Sequence, residues 1–196
     1  MDEAVLRAMQ RWPNVPAVFG WLRLDGRGNW LIKTTEGNFE PVVNPAMIEF
    51  IGRNYHRDNG GRWYFQNGPQ RVFVALDYTP WVYRLDHTAS GFATHTGRSP
   101  EMLHGLFLDD FDRLLLETDL GIGVLSDRDL PAVMERLGTI DDSSIETTLI
   151  AVADGESVSV CLFDRHVPMV PIRAADVAKR FAFVNRPAPA PGQPDC

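Results

Sequence analysis

The chain repeats itself, and the repeat limits its fold more than any other feature. Leu22-Arg23-Leu24-Asp25-Gly26-Arg27-Gly28-Asn29-Trp30-Leu31-Ile32-Lys33-Thr34 aligns without a gap on a stretch 84 residues later, 106–118. Leu22, Leu24, Asp25, Leu31 and Thr34 meet identical residues at Leu106, Leu108, Asp109, Leu115 and Thr118. Each stretch reads as two short strands joined by a polar turn. A missed repeat of this kind misassigns the whole architecture.

The likeness continues past the hairpin. Residues 39–43 read as a short strand, and Asn44-Pro45 then opens a helix, Asn as cap and Pro at the first helical position. In the second copy Leu130, Val133, Met134 and Leu137 are spaced for one helical face. A second hairpin is expected after each helix. Residues 62–66 turn at Asn67-Gly68 into 71–76, and 149–153 turn at Asp154-Gly155 into 157–162, since both central residues of such turns favour positive φ. On that reading Val72, Val74 and Leu76 fall on Val158, Val160 and Leu162, and Trp63 falls on Ile150.

The fold expected is α+β, an internal duplication of a β-hairpin, strand, helix and second hairpin, with antiparallel sheets and few helices. An N-terminal helix lies within 1–16, stopped by Pro13 and Pro16. The first β-rich repeat and its connecting loop span 17–100, with a strand at 81–85 and an edge strand at 91–95. The second repeat and a C-terminal helix at 174–181 span 101–185, and a Pro-rich tail, 186–196, is expected to be disordered.

At 196 residues, 44% apolar and 23% charged, the chain suits one large or two small soluble domains. No apolar run approaches a membrane span. Met1-Asp2-Glu3 lacks the layout of a secretory signal. Cys161 and Cys196 do not make a disulfide framework, so a reduced cytoplasmic protein is expected. A net charge of −7 opposes binding to a phosphate backbone, so neither nucleic acid nor membrane is expected as a partner.

The two copies differ in a way that bears on function. All five tryptophans and four tyrosines lie at or before residue 83. Residues 17–87 carry eight basic and seven acidic side chains, whereas 101–170 carry four and fifteen. Aromatics with Arg are enriched at binding hot spots. Trp63, Tyr64, Arg71, Trp81, Tyr83 and Arg84 are therefore the candidate surface for a ligand or partner. Strand alternation sets Tyr64 on the opposite face from Trp63 and Phe65.

Chemistry-bearing motifs are scarce. His87, His95 and His104 fall near Asp86, but their spacing matches no metal pattern, and no metal or cofactor is expected. Asp109-Asp110-Phe111-Asp112 lacks the Gly and Glu of a calcium loop and reads as a turn. Gly121-Ile122-Gly123 lacks a third glycine and a βαβ setting. Cys161 has only His166 nearby, and Ser90, Ser99 and Ser126 sit in no nucleophile elbow, so no catalytic residue is assigned.

At Asp58-Asn59-Gly60-Gly61-Arg62-Trp63-Tyr64, Val72-Phe73-Val74 and Pro80, the first copy resembles a small proteobacterial family of unknown function. The resemblance implies a repeated β-rich motif around a helix and a role in signalling or ligand sensing. It carries no catalytic position across. Residues and resemblance together suggest a non-enzymatic binding or regulatory protein, whose aromatic and Arg surface meets a small molecule, a protein partner or a second copy in a homodimer. The rival expectation is an enzyme using His87, His95 or Asp86 as acid-base groups in a cleft between the halves.

Overall fold

Asp25 and Asp109, identical in the aligned stretches, build the same turn. Asp25 Oδ1 accepts the amides of Arg27 and Asn29 at 2.9 and 2.8 Å, and Asp109 Oδ1 accepts those of Phe111 and Arg113 at 2.9 and 3.0 Å. The fourth residue is left-handed in both, Gly28 at φ 83° and Asp112 at φ 58°, and its amide donates back to the Asp carbonyl. Asp58 repeats the pattern with Gly60, Gly61 and Arg62. Thr94 repeats it with its hydroxyl accepting from Arg98, and Thr34 shares the backbone bonds. This is the three-residue hairpin loop whose last position is left-handed. A short polar side chain at its start satisfies amides that would otherwise face outward.

The computed structural model describes residues 1–88, 90–140 and 144–189. They fall into two units, Met1–Pro80 with the segment that begins at Ala182, and Trp81–Phe181. The division lies at Pro80, ahead of the 100/101 boundary expected from the sequence, and the chain returns to the first unit at its end.

The first unit contains helix α1 (Glu3–Arg11), strands β1 (Val18–Leu24), β2 (Trp30–Lys33) and β3 (Phe39–Pro41), helix α2 (Pro45–Arg53), and strands β4 (Tyr55–Arg57), β5 (Trp63–Asn67) and β6 (Gln70–Leu76). As the sequence suggests, Asn44 caps α2, its side chain accepting the Met47 amide at 3.2 Å. The sheet order is β3-β2-β1-β6-β5-β4, with β1 and β6 parallel at the centre and the other neighbours antiparallel. One face buries Leu24, Trp30, Tyr55, Phe65, Val74 and Leu76, each at most 4% exposed. Phe50 of α2 meets Phe65 edge-on at 5.3 Å. Burial of each such side chain contributes about 1.5–3 kcal/mol.

The second unit contains β7 (Trp81–Leu85), β8 (Phe92–Thr94), β9 (Leu103–Asp109), β10 (Leu114–Thr118), β11 (Gly121–Leu125), α3 (Leu130–Met134), β12 (Leu137–Thr139), α4 (Ile145–Ala153), β13 (Val158–Leu162), β14 (Arg165–Ile172) and α5 (Ala174–Arg180). Within its eight-stranded sheet runs the order β11-β10-β9-β14-β13-β12, with β9 and β14 parallel. Strand order and parallel centre are thus the same in both units. Here β7 adds parallel to β11, and β8 forms the edge. The fold class is α+β, with parallel pairs inside otherwise antiparallel sheets.

Three local expectations are corrected. Residues 149–153 are helical, in α4, because Ser144 caps the helix by accepting the Thr147 amide at 3.1 Å. Asp154-Gly155 therefore ends a helix, and Trp63 has no counterpart at Ile150. The hairpin of the second unit is β13–β14, turning at Phe163 and Asp164, both at positive φ. Strand β13 thus matches β5, not β6. In the first unit Asn67 pairs with Gln70, so the turn residues are Gly68 and Pro69. Of the expected disordered tail, 186–196, residues 190–196 lie outside the described residues, and 186–189 carry neither helix nor strand.

The returning segment is tied into the first unit. Leu76 donates its amide to the Asn185 carbonyl at 2.7 Å, and Asn185 Nδ2 donates to the Tyr78 carbonyl at 2.6 Å. Val184 donates to the Gly61 carbonyl at 3.0 Å.

Candidate functional site

The Gly68-Pro69 turn decides which side chains share a face of the β5–β6 hairpin. Tyr64 lies opposite Phe73, and Gln66 opposite Arg71. Opposed residues point to the same side of a sheet, and residues two apart do so as well. The four therefore stand together on the face opposite Trp63 and Phe65. Phe19 of β1 joins them, stacked on Phe73 at 4.6 Å, and Tyr64 meets Phe73 edge-on at 5.9 Å. These three rings form a buried cluster of their own, roofed partly by cations. The Arg62 guanidinium lies 4.6 Å from the Phe73 ring centre, and that of Arg71 lies 4.9 Å from Tyr64. Arg62 is tied to Asp58 at 2.8 Å. Arg71 is exposed and forms no ion pair among the described residues.

A groove opens beside this face. Its far wall is the linker between α1 and β1, stiffened by Pro13 and Pro16. The linker is held at both ends. Val5 of α1 is 3% exposed, and the Asp2 amide donates to Asn54 Oδ1 at 2.8 Å. At the other end Gln70 Nε2 donates to the Pro16 carbonyl at 3.2 Å. The groove encloses about 590 Å³ and is lined by Met9, Trp12, Val15, Phe19, Gln66 and Arg71, among others. Trp12 is half exposed.

Gln66 is the unusual member. The residue is fully buried, and its Nε2 donates to the Gly68 carbonyl at 2.8 Å. That bond fixes the amide orientation, because an oxygen there would face another oxygen. Its Oε1 is left buried with no hydrogen-bond partner among the described residues.

The six sequence candidates are divided between the units. Trp63, Tyr64 and Arg71 lie in the first, and Trp81, Tyr83 and Arg84 in the second. Trp63 packs on Tyr55 at 4.8 Å in the main core, 7% exposed. Trp81 is 2% exposed and donates its indole N–H to the Leu120 carbonyl at 2.7 Å. Tyr83 is fully buried, its hydroxyl 2.7 Å from Thr118 Oγ1 and donating to the Gly121 carbonyl at 2.9 Å. Burial pushes the Tyr83 phenol well up, against the pull of the Thr118 hydrogen bond. These three rings hold the fold. Arg84 is exposed. Of the six only Arg71 lines the groove, laid on the ring of Tyr64, and Gln66, Phe19 and Trp12 join it there unannounced by the sequence. The available signal was the turn, since a loop at Gly68-Pro69 sets Gln66 across from Arg71.

The rival acid-base residues have local duties. Asp86 accepts the Thr88 hydroxyl at 2.7 Å and the Thr88 and Ser90 amides, which hold its carboxyl below the usual range. His87 is exposed in that turn. His95 Nδ1 accepts the Val82 amide at 3.3 Å, and its ring lies 5.7 Å from that of Trp81.

A family model described as "Protein of unknown function (DUF2946)" and named DUF2944 matches residues 1–188. The chain belongs to this family. Its membership agrees with the resemblance to a family of unknown function read from residues 58–80. No curated protein matches the DUF2944 chain. Among solved structures it is similar to a DUF1285 family protein from Silicibacter pomeroyi DSS-3, 17% identical, over 80% of this chain and 84% of that one, with a TM-score of 0.50. A DUF1285 family protein from Shewanella baltica OS155 matches over 58% of this chain and 90% of that one, 15% identical, TM-score 0.41. The first likeness is one of fold.

Proposed function

We propose that this DUF2944 chain is a cytoplasmic, non-catalytic binding or regulatory protein that receives a small anionic molecule in the groove between the α1–β1 linker and the β5–β6 hairpin. The observation that carries the reading is Arg71. It is an exposed guanidinium laid on a buried tyrosine, lining a groove of mixed polar and apolar character whose size suits small ligands. Among the described residues lining the groove it is the only titratable side chain. Proton transfer needs a group that gains and loses its proton near the working pH, and arginine does not. The lining therefore suits holding a ligand rather than transforming it.

The test is a thermal-shift screen of small organic acids on the full chain, with Arg71→Met as the paired control. The expected result is acids that raise the midpoint of the native chain and leave the variant unmoved. Acids that stabilise both equally place binding elsewhere and overturn the reading. Light scattering on the same samples covers the homodimer. A native dimer that Arg71→Met dissociates assigns this face to a second copy instead.

A further inference from the structure

The groove offers two complementary groups side by side, and together they describe a ligand. Gln66 and Arg71 are opposed residues on β5 and β6, so their side chains leave the same face of the hairpin. Gln66 offers a buried carbonyl oxygen with no partner among the described residues, and the Nε2 bond to Gly68 prevents the amide from turning round. That oxygen accepts and cannot donate. Arg71 offers planar N–H donors and a fixed positive charge, the match for a carboxylate. Around them Met9, Trp12, Val15 and Phe19 supply apolar surface, and Asn14 is the other polar side chain of the described lining.

We infer, resting on the binding role proposed above, that the groove recognises a small apolar carboxylic acid with a neutral N–H or O–H donor on the carbon next to the carboxylate. N-acylated apolar amino acids and apolar 2-hydroxy acids have this form. The carboxylate pairs with Arg71, the donor fills Gln66 Oε1, and the side chain lies on Phe19 and Trp12. Arg71 is the one cation among the described lining residues, while Arg11 lies on the outer Trp12 ring at 4.7 Å, and this lining suits a monoanion over phosphate esters, which bring a second charge. A free amino acid carries an ammonium, which a groove with a fixed cation and no carboxylate among its described lining residues repels. The C-terminal residue of a peptide presents the same chemistry, so peptide and metabolite are separated by experiment.

Isothermal titration of the full chain with four probes tests the inference. They are N-acetylphenylalanine, 3-phenyllactate, 3-phenylpropionate (no donor) and N-acetylphenylalanine amide (no charge). A hexapeptide ending in phenylalanine is the fifth arm. The first two are expected to bind about tenfold more tightly than 3-phenylpropionate, the worth of one buried hydrogen bond. In Gln66→Met that preference falls to about one, and in Arg71→Met the preference for acid over amide is lost. Because each readout is a ratio between ligands on one protein, a loss of stability in the variant does not imitate it. Tighter binding of the peptide with the same two ratios keeps the chemistry and assigns the source to a protein C-terminus. Equal binding of 3-phenylpropionate and N-acetylphenylalanine by the native chain, or no binding by any probe, overturns this inference. The wider role fails separately, when no acid in the screen depends on Arg71.

Discussion

The Asp109 carboxylate, fully buried, accepts the Arg113 guanidinium at 2.7 Å while also holding the amides of Phe111 and Arg113. Three donors thus depend on one side chain at the β9–β10 turn. Asp109→Ala is expected to lower stability by about 2–3 kcal/mol, as hydrogen bonds to a charged acceptor do when lost. Arg113→Ala should cost less, because Arg113 is 39% exposed and its loss spares the two amides. Urea unfolding of the two variants checks the order.

Asp58 makes a turn of the same pattern between β4 and β5, and it links stability to pH. Burial raises its carboxyl, but the amide and guanidinium of Arg62 and the Gly60 amide outweigh this, and the net shift is downward. A depressed carboxyl stabilises the fold fully above its unfolded pKa of about 4. That contribution is lost as pH falls through the lower folded value. Asp58→Asn should therefore be less stable than the native chain at pH 7 and close the gap towards pH 3. Thermal midpoints across that range give the answer.

At Gly61, φ is +78°, and an added Cβ would overlap the Ala182 carbonyl oxygen. Gly37 has φ +90° with open space around it. Gly37→Ala should show only the backbone cost, about 1 kcal/mol. Gly61→Ala should exceed that and displace the segment 182–185. Limited proteolysis is expected to cut Gly61→Ala in that segment while sparing Gly37→Ala.

Trp81 and Tyr83 invite mutation as a binding surface, yet both are core residues. Trp81→Ala is expected to cost about 3–5 kcal/mol. Tyr83→Phe removes the donor to the Gly121 carbonyl and should cost about 1 kcal/mol. Denaturation curves showing either change as neutral would return these rings to the candidate surface.

The first hairpins were legible because their pattern is local. A polar residue three before a left-handed one, between apolar runs, marks the turn, and identical residues at Asp25 and Asp109 carry it. The α2 start was equally plain from Asn44-Pro45. Residues 149–153 misled because a five-residue apolar run satisfies both strand and helix periods. Only Ser144, before the run, settles it. Strands β4 and β12, three residues each, exist through pairing with β5 and β13 rather than through propensity of their own. The alternation that set Tyr64 apart from Trp63 was sound, and it found the face that bears the groove. The groove itself was not legible, since it depends on Gln70 meeting Pro16, 54 residues away.

The first unit is discontinuous along the chain, and this orders events during synthesis. By the time residue 181 has left the ribosome, every strand of both sheets is available, and the second unit has all its parts. The first unit still lacks Val184 and Asn185, whose bonds to Gly61, Leu76 and Tyr78 fasten its β5 and β6 side. A nascent chain halted at 181 should thus carry a finished second unit beside an unlatched first one. The same β5–β6 hairpin bears the proposed ligand site at its other end, beside the Gly68-Pro69 turn, so the contacts that hold the groove, Asp2 with Asn54 and Gln70 with Pro16, are available before this latch closes.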